Sequence, residues 1–140
     1  MHRSQLLRTV LAASLLYMPP LAFADEPSVD ILRVEAAIAS LEPSYGDVAS
    51  TINCSAATLT AHRLICEAKD ELALMVRLDQ MAAVYAFENA LGREADHDNP
   101  PVDEAFAAKR DACNDTACLR DALIAHTNDS LGGESPYQGE

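Results

Sequence analysis

Residues 109–119 read KRDACNDTACL, and the spacing of the two cysteines in that stretch decides how the chain must run. On one continuous helix Cys113 and Cys118 would point about 140° apart, with their backbones beyond disulfide reach. Either the helix breaks between them or they are not a pair. Asn114 and Asp115 are turn formers, and Asp115 or Thr116 can cap a new helix. A break there would bring the two cysteines within bonding distance.

Outward from that break the pattern is helical, with almost no strand signal. In residues 70–91, Leu74, Leu78, Met81 and Tyr85 follow a heptad-like seam that Met75, Val84, Phe87 and Leu91 widen. Gly92 then supplies a residue tolerant of positive φ. A shorter helix is expected from about Thr58, carrying Leu59, Ile65 and Cys66, and the pattern leaves open whether the two are one bent helix. Earlier, Ile31, Val34, Ile38 and Leu41 share a face, and Pro43 is expected to end that helix. Residues 44–55, SYGDVASTINCS, are polar and turn-rich and read as a linker. Residues 93–101, READHDNPP, form a charged connection. Asp103 and Glu104 then fall in the first turn of a helix with Phe106, Lys109, Arg110 and Cys113 on or near one face. Beyond Cys118, the residues Leu119, Ala122, Leu123 and His126 continue a stripe that Gly132 and Gly133 stop.

The opening residues, MHRSQLLRTVLAASLLYMPPLAFA, have the form of a secretory signal. Arg3 and Arg8 precede an apolar run over residues 9–17, Pro19 and Pro20 interrupt it, and Ala22-Phe23-Ala24 offers small residues for cleavage. The run is shorter than the roughly 20 residues of a membrane span. With that segment removed, 116 residues remain, enough for one modest core. They carry eight basic against 22 acidic side chains, a net charge of −14. Such a surface repels nucleic acid and anionic membranes and attracts cationic partners.

All four cysteines, Cys54, Cys66, Cys113 and Cys118, lie after the signal, and in an exported domain they read as two disulfides rather than a zinc site. Three connectivities are possible, and spacing does not choose among them. Residues 54 to 66 can close a loop as well as residues 113 to 118 can, each contributing roughly 2 to 3 kcal/mol by chain entropy.

The expected fold is therefore all-α, a small disulfide-stapled helical bundle or hairpin after a signal peptide. Residues 1–24 are the signal, 25–49 an N-terminal helical extension, 50–131 the helical domain and 132–140 a disordered tail.

Within that frame several residues bear chemistry. Asp79 stands inside an apolar helix face and could cap or pair with a cation such as Arg110 across the helices. Arg110 and Asp111, beside the cysteine loop, read as structural before they read as a recognition pair. His62 and Cys66 have a metal-compatible spacing, but Cys66 is needed for a bridge. His97, between Asp96 and Asp98, reads as part of a solvated acidic connection before it reads as a weak cation site. Three Asn-x-Ser/Thr matches, at Asn53, Asn114 and Asn128, are read as chance. There is no Gly-rich phosphate loop, nucleophile elbow or HExxH, so neither catalysis nor a cofactor or metal is expected.

Taken together, the pattern resembles the N-terminal domain family of the LprI-type lysozyme inhibitors. The resemblance rests on Ile52-Asn53-Cys54, Leu64-Ile65-Cys66, Leu78-Asp79, Tyr85, Phe106, Arg110-Asp111-Ala112-Cys113 and Cys118-Leu119, and covers residues 52–131. Phe106 stands where tryptophan is usual, and Leu123 and His126 where tyrosine and arginine are usual. Residues 25–49 have no counterpart. The resemblance implies a bacterial protein, periplasmic or secreted, that binds a cationic lysozyme or other muramidase and occludes its cleft. A structural or stress module that binds another envelope protein without inhibiting a hydrolase is the alternative. Calcium or zinc bound weakly by READHDN is a third reading. Oligomeric state is not legible.

Overall fold

A computed structural model describes residues 29–138, and among these every regular element is helical. The signal expected over residues 1–24 lies outside the described residues. The helices are α1 (Ile31–Tyr45), α2 (Thr60–Glu67), α3 (Asp70–Leu91), α4 (Glu104–Asp111) and α5 (Thr116–Leu131), with 3-10 turns at Cys54–Ala56 and Gly132–Glu134. None of the described helices is long and apolar enough to cross a membrane.

The long helix α3 is the spine, because its apolar residues occur on more than one face. Leu78, Met81 and Ala82 meet Val34 and Leu41 of α1 in the main core, with Leu74, Tyr85 and Leu131 packed around them. The three- and four-residue steps in both helices place these side chains on facing stripes. A second cluster joins Ala61 of α2 to Cys113 and Leu119, with Leu72 of α3 against it. Residues 25–49 were expected to be an extension. From Ile31 onward they are instead a structural part of the domain, since α1 supplies Val34 and Leu41, two of the five buried residues of the main core.

The cysteines pair locally. Cys54–Cys66 and Cys113–Cys118 are both bonded, with Cα separations of 5.6 and 5.5 Å. The helix does break where the opening stretch required it. Helix α4 ends at Asp111, and Asp115 caps α5 by accepting from the Cys118 N–H at 2.8 Å.

Two boundaries differ from expectation and a third, which the sequence pattern leaves open, is decided by the structure, each for a physical reason. Pro43 does not end α1 but lies within it. Ala39 and Pro43 both face solvent, so the carbonyl that loses its donor keeps access to water. Helices α2 and α3 are separate, because Ala68 and Lys69 are extended and Asp70 enters α3 with φ of 58°. Asp103 stands one residue before α4, where its side chain accepts from the Phe106 N–H at 3.0 Å. The segment between α1 and α2 is more than a linker, since it buries Val48 and Ile52.

The tail is a correction too. Polar composition suggested disorder over residues 132–140, yet residues 132–138 fold back onto the domain. Ser135 and Pro136 are buried, the Ser135 hydroxyl donates to Asn128 Oδ1, and Tyr137 packs against the main core. One aromatic side chain there buries enough apolar surface to order a short segment. The Tyr137 hydroxyl is buried without a hydrogen-bond partner, and burial together with the charges of Asp79 and Glu71 pushes its ionisation above the usual phenol range. Tyr137→Phe removes that unsatisfied group and keeps the ring. It is expected to stabilise the protein by about 1 kcal/mol, read as a higher urea midpoint at unchanged slope.

Candidate functional site

The segment connecting α3 to α4, residues 92–103, has no regular structure and is nevertheless held along its length. Gly92 turns it out of α3 with φ of 64°. Glu88, in the last turn of α3, accepts the Ala95 N–H at 2.9 Å. The His97 ring lies between two carboxylates from different elements, with Nδ1 2.7 Å from Asp47 and Nε2 3.2 Å from Glu88. The His97 carbonyl accepts the Ala49 N–H at 2.8 Å. Tyr45 adds a hydroxyl donated to Glu88 and a ring centroid 5.8 Å from that of His97. We call the segment the strap.

At its far end the strap meets a second histidine. His126 of α5 places Nδ1 2.8 Å from Asp79 of α3 and Nε2 3.5 Å from Asp103, the residue that caps α4. Thr127 donates its hydroxyl to the same Asp79 at 2.9 Å. Phe106 stacks on the His126 ring at 3.7 Å between centroids. Arg110 lies 5.7 Å from the Phe106 ring and donates Nε–H to Asp111 at 2.8 Å, and Asp111 in turn meets His62 at 2.8 Å.

The Asp79–Arg110 pair expected from the sequence is therefore absent: Asp79 is paired with His126 and Thr127, and Arg110 with Asp111. Helix α4 offers Arg110 a partner one residue away, whereas His126 and Asp79 face each other where α3 and α5 pack. Of the remaining candidates, Tyr85 meets Tyr45 edge-on at 6.0 Å in the main core, and the four cysteines are all bonded. Thr127, Glu88 and Asp47 carry no signal in the sequence reading, and Asp103 and His126 figure there only as a helix-start acid and a member of the α5 stripe, not as partners at a site. One signal was present: a carboxylate inside an apolar seam needs a buried partner, and His126 is a donor on the α5 stripe.

Electrostatics follow from these contacts. The hydrogen bond to Asp47 holds His97 above its ordinary value of 6.5 despite desolvation, with Glu88 adding to the shift. For His126 burial pushes downward, but the hydrogen bond and charge of Asp79, helped by Asp103, outweigh it and raise the ring above 6.5. The Ala95 N–H, then His97 and Tyr45, hold Glu88 below its ordinary range. Asp111 is likewise held down by Arg110 and His62 against the upward push of burial.

Beneath the strap lies a narrow cleft of about 50 Å³ walled by Ile52, Val84, Pro101, Phe106 and Leu123, with Asp79 and His126 at one side. It adjoins a wider hollow of about 290 Å³ between Phe87, Val102 and Ser130. Above, the strap presents Glu94, Asp96 and Asp98 to solvent. Among the described residues no group of three or more His, Cys, Asp or Glu side chains is arranged to hold a metal ion. The geometry offers a fixed acidic segment beside a small apolar cleft. No protein-family model, curated protein or solved structure matches the chain.

Proposed function

We propose that the protein is an exported bacterial binding protein, periplasmic or secreted, that inhibits a cationic lysozyme-type peptidoglycan hydrolase by occluding its cleft with the acidic strap. The observation that carries this reading is the strap itself, an exposed acidic segment pinned by its backbone and by histidines to a scaffold with two disulfides. A pre-ordered loop loses little freedom on binding. Its charge speeds encounter with a basic enzyme. The paired cysteines agree with an oxidising compartment. The cysteine framework and Arg110-Asp111 supply the family resemblance.

The test is lysis of a cell-wall suspension by a panel of lysozymes, with and without the protein, at low and physiological salt. Saturable inhibition that survives physiological salt is expected. Glu94→Lys with Asp98→Lys should weaken it by about tenfold, since neither side chain is used in the scaffold and both face a basic partner. Inhibition present only at low salt would reduce the effect to unspecific charge attraction. Inhibition of no enzyme would favour an envelope module that binds another protein, for which the exposed Leu91, just before the strap, and Val102, near its end, would be the first surface to probe.

A further inference from the structure

Each of the two histidines that bind the strap to the scaffold, His97 within it and His126 on α5, has both ring nitrogens facing carboxylate oxygens: His97 between Asp47 and Glu88, His126 between Asp79 and Asp103. A neutral imidazole has one N–H and can donate to only one of two such acceptors. The imidazolium donates to both. In each case the carboxylates belong to different elements, so the second donated bond is what ties one element to another. We propose that the strap is a pH-gated clasp, in which protonated His97 and His126 hold residues 92–103 against the helices, with Pro100 to Asp103 at the cleft, and loss of those protons frees it. The inference deepens the functional reading above and rests on it only where the strap is taken as the binding element.

The groups around each ring support one direction of response. His97 faces Asp47 and Glu88, with Asp96 nearby in the strap and Tyr45 donating to Glu88. His126 faces Asp79 and Asp103 and stacks on Phe106. Arg110 lies beyond that ring, engaged with Asp111. Tyr137 feels Asp79, Glu71 and Arg120, and Arg120 pairs with Glu71. Both histidines titrate above 6.5 when folded, so their contribution is complete below 6.5 and is lost as pH rises through the raised values. Asp47, Glu88 and Asp103 titrate below their ordinary 3.8 to 4.5, so their side of the clasp is complete above that range and lost as pH falls through the lowered values. The clasp is therefore tightest between about 4.5 and 6.5 and loosens into the alkaline range.

Two amides report the clasp directly: Ala49 N–H, bonded to the His97 carbonyl, and Ala95 N–H, bonded to Glu88. Their exchange in the folded, disulfide-intact protein is to be measured by NMR at pH 5.5 and 8.5 and expressed as protection against the intrinsic rate at each pH. The His97 and His126 rings are titrated in the same samples. Protection at Ala49 and Ala95 should fall roughly three- to tenfold at the higher pH, the loss of a charge-assisted hydrogen bond, while amides at the centre of α3 hold theirs. His97→Gln should lower protection at pH 5.5 and remove its pH dependence at these amides. Because His97 lies outside the core clusters, that variant folds even if His126→Gln does not. Equal protection at both pH values, or histidine rings titrating at or below 6.5, would overturn the clasp. The lysis assay is independent: a strap that loosens in a protein inhibiting no lysozyme supports the clasp and removes only the functional reading.

Discussion

Asp79→Ala is expected to cost about 3 kcal/mol, a large share of the stability of a domain this size. Asp79 is 4 % exposed and carries three hydrogen-bond contacts, from both directions of the His126 Nδ1 fork and from the Thr127 hydroxyl. Alanine leaves the imidazolium and the hydroxyl facing an apolar wall. The expected loss lies at the low end for a broken buried pair because His126 can shed its proton and keep Asp103 as a partner. The sign with pH is fixed by His126. Its folded value is raised above 6.5, so the stability it provides with Asp79 is full below 6.5 and fades as pH rises. Urea midpoints of the two proteins should differ most near pH 5.5 and converge toward pH 9. Asp79→Leu combined with His126→Phe should recover about half the loss, since no charge is then orphaned and Thr127 can bond back to its own helix. A single variant within about 0.5 kcal/mol of the parent would show that the buried pair contributes nothing to stability.

The same residue marks what could be read from the chain alone. The bounds of α3, the role of Gly92 and the break between Cys113 and Cys118 were legible, because each is set by residues within a turn or two of itself. Helical periodicity, a glycine tolerant of positive φ and an Asn-Asp turn are local signals. The partner of Asp79 was not legible. It lies 47 residues away on another helix, and nothing in spacing separates His126 from Arg110 until α3 and α5 are packed. His97 reads in the sequence as part of a solvated connection for a similar reason: its acidic neighbours suggest solvent, while its contacts with Asp47 and Glu88 exist only once α1 lies on α3. Pro43 and Tyr137 misled in opposite ways. A proline is tolerated in a last turn that faces water, and a polar tail is ordered by a single aromatic ring that finds the core.

Replacing all four cysteines by alanine is expected to remove about 5 kcal/mol, enough to leave the protein largely unfolded at 37 °C. The closed loops are short, with separations of 12 and 5 residues, so chain entropy assigns roughly 3 kcal/mol to Cys54–Cys66 and roughly 2 to Cys113–Cys118. Packing alters that order. Cys113 is 1 % exposed and belongs to the cluster with Ala61 and Leu119, so its replacement also opens space in the smaller core. The two pairwise variants should therefore be destabilised by similar amounts, measured as urea midpoints without reductant, and the parent with reductant should approach the four-alanine protein. Their effects on the strap should differ. Cys113–Cys118 joins the end of α4 to the start of α5, and these helices carry Asp103 at the α4 cap and His126, so losing it should lower protection at Ala95 even at pH 5.5. Cys54–Cys66 closes the loop before α2 and touches no strap residue, so its loss should spare Ala95 until the whole domain unfolds. A four-alanine protein within about 1 kcal/mol of the parent would mean that helix packing alone holds the domain, and the chain-entropy account would fail.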